Sequence, residues 1–434
     1  MRESRYNLYF EHEGAQLCFN AMTCAFAEIG EEFYQALDCL RRGEEIADAE
    51  LRQNMEYGGY IVGDGLDELQ ALRLRSWSNK FASGDFSLTI APTLACNFAC
   101  PYCYENAKTG TISPEIQAQI IEMIADAAAE KKDIQVTWYG GEPLLAMDVI
   151  SDLSRQILAI CQEEQVSYFA YMVTNGYLLS PEIIDRLLEC GIANLQITID
   201  GLREAHDSRR MLKNSQKGTF DVIISNIKAL VEAGVYPDIR INVDKTNKDE
   251  LTELIGFLRD QGLAACSVSF GHVNAYTEAC ANIEDSCLNI KEYAAETVEY
   301  QHLLDEAGFM SSEYPLYPGA KGNYCCADSV NAYVIDPEGF IYKCWNDIGN
   351  AERSIGSFPD LAAISDEQYM TLASYLLWSP FDHQKCRDCS ILPICMGGCP
   401  FNGQAQGGDP QCEKWKYNIE DTLRFIYERQ LQAG

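Results

Sequence analysis

The run FSLTIAPTLACNFACPYC, residues 86–103, joins an apolar strand-like segment directly to three closely spaced cysteines. Residues 86–94 read as a strand, and the next periodic segment, SPEIQAQIIEMIADAAAEKK at 113–132, reads as a helix. Ser113 is placed to cap it, Pro114 falls in its first turn, and Ile116, Ile120, Ile124 and Ala127 recur on one face. Outward from this pair the alternation continues as strand IQVTWY, helix LLAMDVISDLSRQILAICQ, strand SYFAYMVTN and, behind Ser180 and Pro181, helix IIDRLLECG. Strand NLQITID, helix TFDVIISNIKALVEAG, strand DIRINVD, helix NKDELTELIGFLRDQG and strand ACSVSFG complete the series. Six strands separated by helices predict an α/β protein with a parallel sheet, doubly wound or curled into a partial barrel.

With 434 residues the chain is too long for one core, and its texture changes on either side of this region. Residues 1–85 read as a small β-then-helix module: YNLYFEHEGAQLCFN as two short strands around Glu13-Gly14, then AFAEIGEEFYQALDCL and LDELQALRLRSWSNKF as helices. Asp64, Asp67 and Glu68 lack the alternating oxygen ligands of a calcium loop and read as a solvated turn. Residues 86–310 carry the strand–helix alternation. Residues 311–434 are rich in turns and cysteine, as expected of a domain held by metal rather than by a large core.

The formal net charge is −32, which argues against unaided nucleic-acid binding, since that rests on a basic face releasing counterions, and against docking on anionic membranes. No apolar run approaches the roughly 18 residues of a membrane span, and the start, MRESRYNLYFEHEG, has no basic head followed by an apolar stretch. A cytoplasmic protein is expected. Its 19 cysteines then point to metal or iron–sulfur ligation, because cytosolic thiols are kept reduced.

Cys96, Cys100 and Cys103 form a C-x3-C-x2-C loop directly after the first strand. Three such thiolates can hold three irons of a cubane cluster and leave the fourth without a protein ligand; read alone, the spacing also allows zinc. In α/β sheets and barrels the chemistry sits at the carboxyl ends of the strands, where this loop falls. The same rim receives Gly140, Gly141 and Glu142 after the second strand, Thr174 and Asn175 at the end of the third, Thr198 and Asp200 on the fourth, and Asn242 and Asp244 on the fifth. Glycines at 140 and 141 let main chain approach a ligand closely. A second constellation comprises Cys325-Cys326, Cys344 five residues after Gly339, the group Cys386, Cys389, Cys395 and Cys399, and Cys412. The group of four alone fits a zinc ribbon, yet the whole set exceeds what one zinc can use.

The loop CNFACPYC and the segment GGEP resemble the cluster and cofactor motifs of the radical S-adenosylmethionine (SAM) enzymes. The resemblance implies a partial barrel of six β/α units, a 4Fe–4S cluster on Cys96, Cys100 and Cys103, and SAM held by Gly140, Gly141 and Glu142, with Asn175, Thr198 and Asp200 toward its ribose and methionine. The downstream cysteines resemble a SPASM domain, which implies two auxiliary 4Fe–4S clusters. Cys325 or Cys326, Cys344 and Cys399 would serve the first, and Cys386, Cys389, Cys395 and Cys412 the second. The adjacency of Cys325 and Cys326 departs from fully ligated relatives and leaves one iron of the first auxiliary cluster open to a substrate thiolate, or to Cys280 or Cys287. Cys18, Cys24, Cys39, Cys161, Cys190 and Cys266 read as small buried hydrophobes.

SPASM-bearing relatives mostly modify peptides, and the N-terminal module resembles in arrangement a peptide-recognition element that binds a leader by strand addition. The expected function is therefore radical maturation of a ribosomal precursor peptide through a 5′-deoxyadenosyl radical, forming a thioether from a cysteine, with a reducing partner such as flavodoxin or ferredoxin and an anaerobic source. Carbon–carbon crosslinking, epimerisation and decarboxylation are the alternatives. Formylglycine formation on a sulfatase is disfavoured because Trp345, not an aspartate, follows Cys344. A non-catalytic iron–sulfur or zinc scaffold is the reading outside the enzymes. Tyr104, Glu105, Asp244 and His272 are the candidate general bases near the rim.

Overall fold

The computed structural model describes every residue except Ser83, Asn106, Ala107, Gln216, Tyr276, 310–316, 359–362, Gln406 and Gly434. The chain forms two compact units, one of Met1–Ala82, Ser312–Ser329 and Leu377–Gly434 and the other of Ser83–Ser311 and Val330–Leu376.

In the first unit β1 (Arg2–Glu3) pairs with β5 (Ile61–Val62), while β2 (Asn7–His12), β3 (Ala15–Asn20) and β4 (Phe26–Glu28) make an antiparallel sheet in that order. Glu13 (φ 48°) and Gly14 (φ 87°) form the two-residue turn between β2 and β3, where positive φ at both positions matches the twist of the strands. Helices α1 (Glu31–Arg41), α2 (Ala49–Tyr57) and α3 (Glu68–Lys80) follow. The first helix therefore begins later than its periodicity implies: residues 26–28 pair with β3, and Gly30 takes an extended conformation before α1. Phe33, Leu37, Met55, Tyr60 and Ile61 pack a small core with Cys18. Glu68 is no solvated side chain. It is 2 % exposed and is held by the Ser4 hydroxyl and by Arg2 Nη1 at 2.8 Å, so an acidic turn conceals a buried carboxylate.

In the second unit six parallel strands stand in sequence order: β6 (Phe86–Ile90), β7 (Ile134–Trp138), β8 (Tyr168–Thr174), β9 (Asn194–Thr198), β10 (Asp238–Val243) and β11 (Ser267–His272). Helices α4 (Pro114–Ala129), α5 (Met147–Glu164), α6 (Pro181–Glu189), α7 (Arg203–Arg209), α8 (Phe220–Glu232) and α9 (Leu251–Asp260) return the chain between them, and α10 (Ile290–Glu306) follows β11. This is the sequential β/α winding expected of a partial barrel. Ile120, Ile124 and Ala127 of α4 lie in the main core with Leu88, Ile134, Ile197 and Ile239 of the strands, and Ile116 packs against it.

The sheet is larger than the alternation implies. β12 (Ala332–Ile335) pairs parallel to β6, and β13 (Phe340–Tyr342) and β14 (Gly356–Ser357) continue antiparallel, giving a mixed sheet of nine strands. Residues 311–434 accordingly do not form a unit of their own, as their composition suggests. Val330–Leu376 belongs with the sheet, because β12 satisfies the main-chain groups on the open edge of β6, with Ser87 N to Asn331 O and Ala91 N to Ile335 O each at 2.9 Å. Among the described residues, no helix is long and apolar enough to cross a membrane.

Candidate functional site

The carboxyl ends of β6–β11 surround a cavity of about 500 Å3. Cys96, Cys100 and Cys103 all line it, from the loop that leaves β6. That loop is pinned on both sides: Ala99 N donates to Met211 O at 2.8 Å and Lys213 N to Asn97 O at 2.7 Å, while Gly141 N reaches Thr93 O at 3.2 Å and Glu142 N reaches Ala95 O at 2.9 Å. The Gly140-Gly141 turn is thus tied by its main chain to the strand end that delivers the thiols. It must be glycine, since a Cβ on Gly141 would run into the Ala95 carbonyl and one on Gly140 (φ 104°) into that of Thr93.

Burial pushes the Cys96 thiol up to about 11 and the Cys103 thiol up to about 12, and raises Cys100 as well. Left alone these groups stay protonated, and metal ligation would release their protons. No group of three or more His, Cys, Asp or Glu side chains among the described residues is arranged to hold one metal ion. A cubane instead takes one thiolate per iron, and three thiols opening on a shared cavity are the donor set that it needs.

Thr198 and Asn175 also line this cavity, and Asn175 Nδ2 donates to Asn97 Oδ1 at 2.7 Å. Glu142 and Asp200 do not. The Glu142 carboxylate turns into the protein, accepting from Thr174 Oγ1 at 2.7 Å, Asn175 N at 2.8 Å and Leu144 N at 3.1 Å, and burial raises its pKa. Asp200, fully buried, accepts from Asn242 N at 2.9 Å and from the Tyr102 hydroxyl, which also receives Arg210 Nη1 at 2.7 Å. Both carboxylates brace the rim from behind.

Of the candidate bases, Tyr104, Glu105 and His272 face the cavity. The Tyr104 and Tyr139 hydroxyls are in contact, and burial lifts Glu105 up to about 7. His272 stacks on Tyr293 with ring centroids 4.4 Å apart, and its Nε2 lies 2.7 Å from Leu288 O. Asp244 is turned away and paired with Arg209 at 2.8 Å. Trp345 lies over Tyr139 with ring centroids 4.5 Å apart, and its indole N–H donates to Thr89 at 2.9 Å. Arg210 and Arg240 escape a reading of motifs: Arg210 directly follows α7 and Arg240 lies on β10, and only the fold brings both to the cavity.

Within the first unit Cys386, Cys389, Cys395 and Cys412 line a separate cavity of about 220 Å3, with Lys385 and Lys416 on its wall. Lys416 Nζ is 3.9 Å from Cys389 Sγ. Tyr324, which donates to Glu413 at 2.7 Å, is raised by burial and then by that carboxylate, with smaller contributions from Cys399 and Cys325, so these two cysteines lie near it. Cys344, Cys280 and Cys287 belong to the sheet unit, where the Cys280 and Cys287 thiols reach the Thr277 and Ile283 carbonyls, each at 3.4 Å.

A sheet of this winding brings three thiols and a double glycine together at its carboxyl rim. Residues 90–294 match the family model described as the radical SAM superfamily, so this stretch is a radical SAM domain of the kind that radical SAM enzymes carry. Such enzymes use SAM and a 4Fe–4S cluster. The chain is 22 % identical over 367 residues to a PqqA peptide cyclase of Gluconobacter oxydans, covering 81 % of this chain and 96 % of that one. It is 25 % identical over 220 residues to an Fe-coproporphyrin III synthase of Methanosarcina barkeri, covering 50 % of this chain and only 52 % of the relative. The structure of Streptococcus suis SuiB bound to precursor peptide SuiA shares the fold, with TM-score 0.51, 17 % identity, and coverage of 95 % of this chain and 98 % of SuiB. The homologues include peptide-modifying enzymes of the radical SAM family.

Proposed function

We propose that the protein matures a ribosomally made precursor peptide by forming a thioether between a cysteine sulfur and a carbon of an acceptor residue. The observation that carries this reading is the shared cavity in which Cys96, Cys100 and Cys103 face the Gly140-Gly141 turn. When bound there, a 4Fe–4S cluster and SAM supply reductive carbon–sulfur cleavage and, through it, abstraction of one hydrogen atom. The chain's own residues orient and enclose. Gly140 and Gly141 keep main chain open to the methionine end, Asn175 and Thr198 offer polar contacts, and Tyr104, Tyr139 and Trp345 wall the space with aromatic surface that excludes water.

Closing the thioether removes a hydrogen atom from carbon, a proton from sulfur and one further electron. That electron needs an acceptor. We assign an auxiliary 4Fe–4S cluster to Cys386, Cys389, Cys395 and Cys412, which share one cavity. The leader peptide would add as a strand to the edge of the β2–β3–β4 sheet, where β2 is paired on one side. A flavodoxin or ferredoxin is the proposed reductant, and the cytoplasm the proposed compartment.

Mass spectrometry of a cysteine-containing candidate precursor peptide, after co-expression with wild type or Cys96→Ala, tests the reading. A loss of two hydrogens per crosslink that resists thiol alkylation and requires Cys96 is expected. An unchanged mass, or a shift that leaves the thiols alkylatable, overturns thioether formation in favour of a carbon-centred modification.

A further inference from the structure

Arg240 lies on β10 between Asp238 and Asn242, while its chain neighbours Ile239 and Ile241 are buried in the core. Arg240 and Asn242, two residues apart, both line the main cavity, and Gln196 of β9 lines it too. The Arg240 side chain is half-buried. Its guanidinium passes over Gly271 of β11, where any Cβ would collide with Nε and Nη2, so this glycine gives the arginine its room.

Among the described residues the Arg240 side chain makes no hydrogen bond and no ion pair. The neighbouring arginines are accounted for: Arg209 pairs with Asp244 at 2.8 Å, and Arg210 donates to the Tyr102 hydroxyl at 2.7 Å. Asp238, two residues earlier on the same strand, gives its oxygens to Ser267 at 3.1 Å and Ser269 at 2.6 Å. A guanidinium keeps its charge at any working pH, and a half-buried cation without a counter-ion is costly to maintain. In a chain of net charge −32, with carboxylates in excess, such a cation at the cavity wall is suited to receive an anion. Its planar fork suits the two oxygens of a carboxylate.

We propose that Arg240 anchors a carboxylate of the peptide substrate inside the cavity, which makes an acidic peptide the substrate class of this site; the inference rests on the peptide-modifying reading above. SAM carries a carboxylate of its own, so the test must separate the two sources. Enzyme reconstituted with its clusters and saturated with SAM is titrated anaerobically with acetyl-Gly-Cys-Gly-Glu-Gly-amide, with the same peptide carrying Gln for Glu, and with the Gln peptide bearing a free C-terminal acid.

At least one carboxylate peptide should bind about tenfold more tightly than the uncharged one, and the arm that does so says whether the anion is a side chain or a terminus. Arg240→Gln should erase the difference, Arg240→Lys should keep part of it, and SAM affinity should stay within about twofold of wild type in both. Equal binding of all three peptides by wild type overturns the proposal, a result that needs no variant to fold. A SAM affinity weakened about tenfold by Arg240→Gln overturns it too, and gives the arginine to the cofactor. Peptide discrimination without any thioether leaves the anchor standing and removes only the thioether reading.

Discussion

The Lys80 ammonium lies 3.2 Å from the Asp328 carboxylate, with the two side chains 5 % and 2 % exposed. Lys80 also donates to the Trp378 carbonyl, while Asp328 accepts from Cys325 N at 3.1 Å, Tyr324 N at 3.2 Å and Asn323 Nδ2 at 2.9 Å. One buried pair therefore fixes the loop that carries Cys325 and Cys326. Removing a single partner strands the other charge, so Lys80→Met should cost about 3–5 kcal/mol in urea unfolding, and Lys80→Met with Asp328→Asn should cost less than Lys80→Met alone. A loss below about 1 kcal/mol for Lys80→Met would mean that the pair behaves like an exposed one.

Gly141→Ala tests the cradle. The new methyl group would press on the Ala95 carbonyl, whose oxygen also receives Glu142 N at 2.9 Å, so the turn must shift away from the cysteine loop. SAM binding measured by equilibrium dialysis should weaken by about tenfold or more, while unfolding still shows one cooperative transition. Unchanged SAM affinity would remove the Gly140-Gly141 turn from the binding site.

The six-stranded winding and the cysteine loop were legible because each rests on a local signal: a helical or strand period over about ten residues, or a fixed spacing of thiols. What escaped depends on partners far away in the chain. AYVI at 332–335 is too short to assert itself in a cysteine-rich stretch, and only the open edge of β6 makes it a strand of the main sheet. Phe26, Ile29, Phe33 and Leu37 keep a helical spacing straight through Gly30, so periodicity alone hides the break at which β4 ends and α1 begins. Glu68 looked like surface because nothing near it in sequence reveals Arg2 and Ser4. Glu142 and Asp200 were legible as members of the rim but not in their orientation, which the hydrogen bonds of Thr174, Asn175 and Tyr102 decide.

His206 gives the fold a defined response to acid. It is fully buried, its Nδ1 accepts from Asp200 N at 3.3 Å, and burial together with Arg210 and Arg209 holds its pKa well below 6.5. The imidazole stays neutral in the folded protein but takes up a proton in the unfolded chain, so its contribution is present above the unfolded pKa and is lost as pH falls. The stability advantage of wild type over His206→Gln should shrink by about 1.4 kcal/mol between pH 7.5 and 5.5, read from urea unfolding at each pH. A difference that is flat across this range would show that His206 is protonated in the folded state.

Iron content separates the cysteine sets. If Cys96, Cys100 and Cys103 hold one cluster and Cys386, Cys389, Cys395 and Cys412 another, Cys96→Ala and Cys386→Ala should each lower the iron of anaerobically reconstituted protein by up to about four atoms per chain, and the double variant by the sum. The two losses should differ in consequence. Cys96→Ala should abolish SAM cleavage outright, whereas Cys386→Ala should leave cleavage of SAM in the absence of peptide and reduce only crosslinking, because its thiol borders a cavity that shares no lining residue with the one at the strand ends. Iron analysis, Mössbauer spectra and 5′-deoxyadenosine yield read the three effects separately. A Cys386→Ala protein with wild-type iron would return the second cavity to zinc or to a purely structural role.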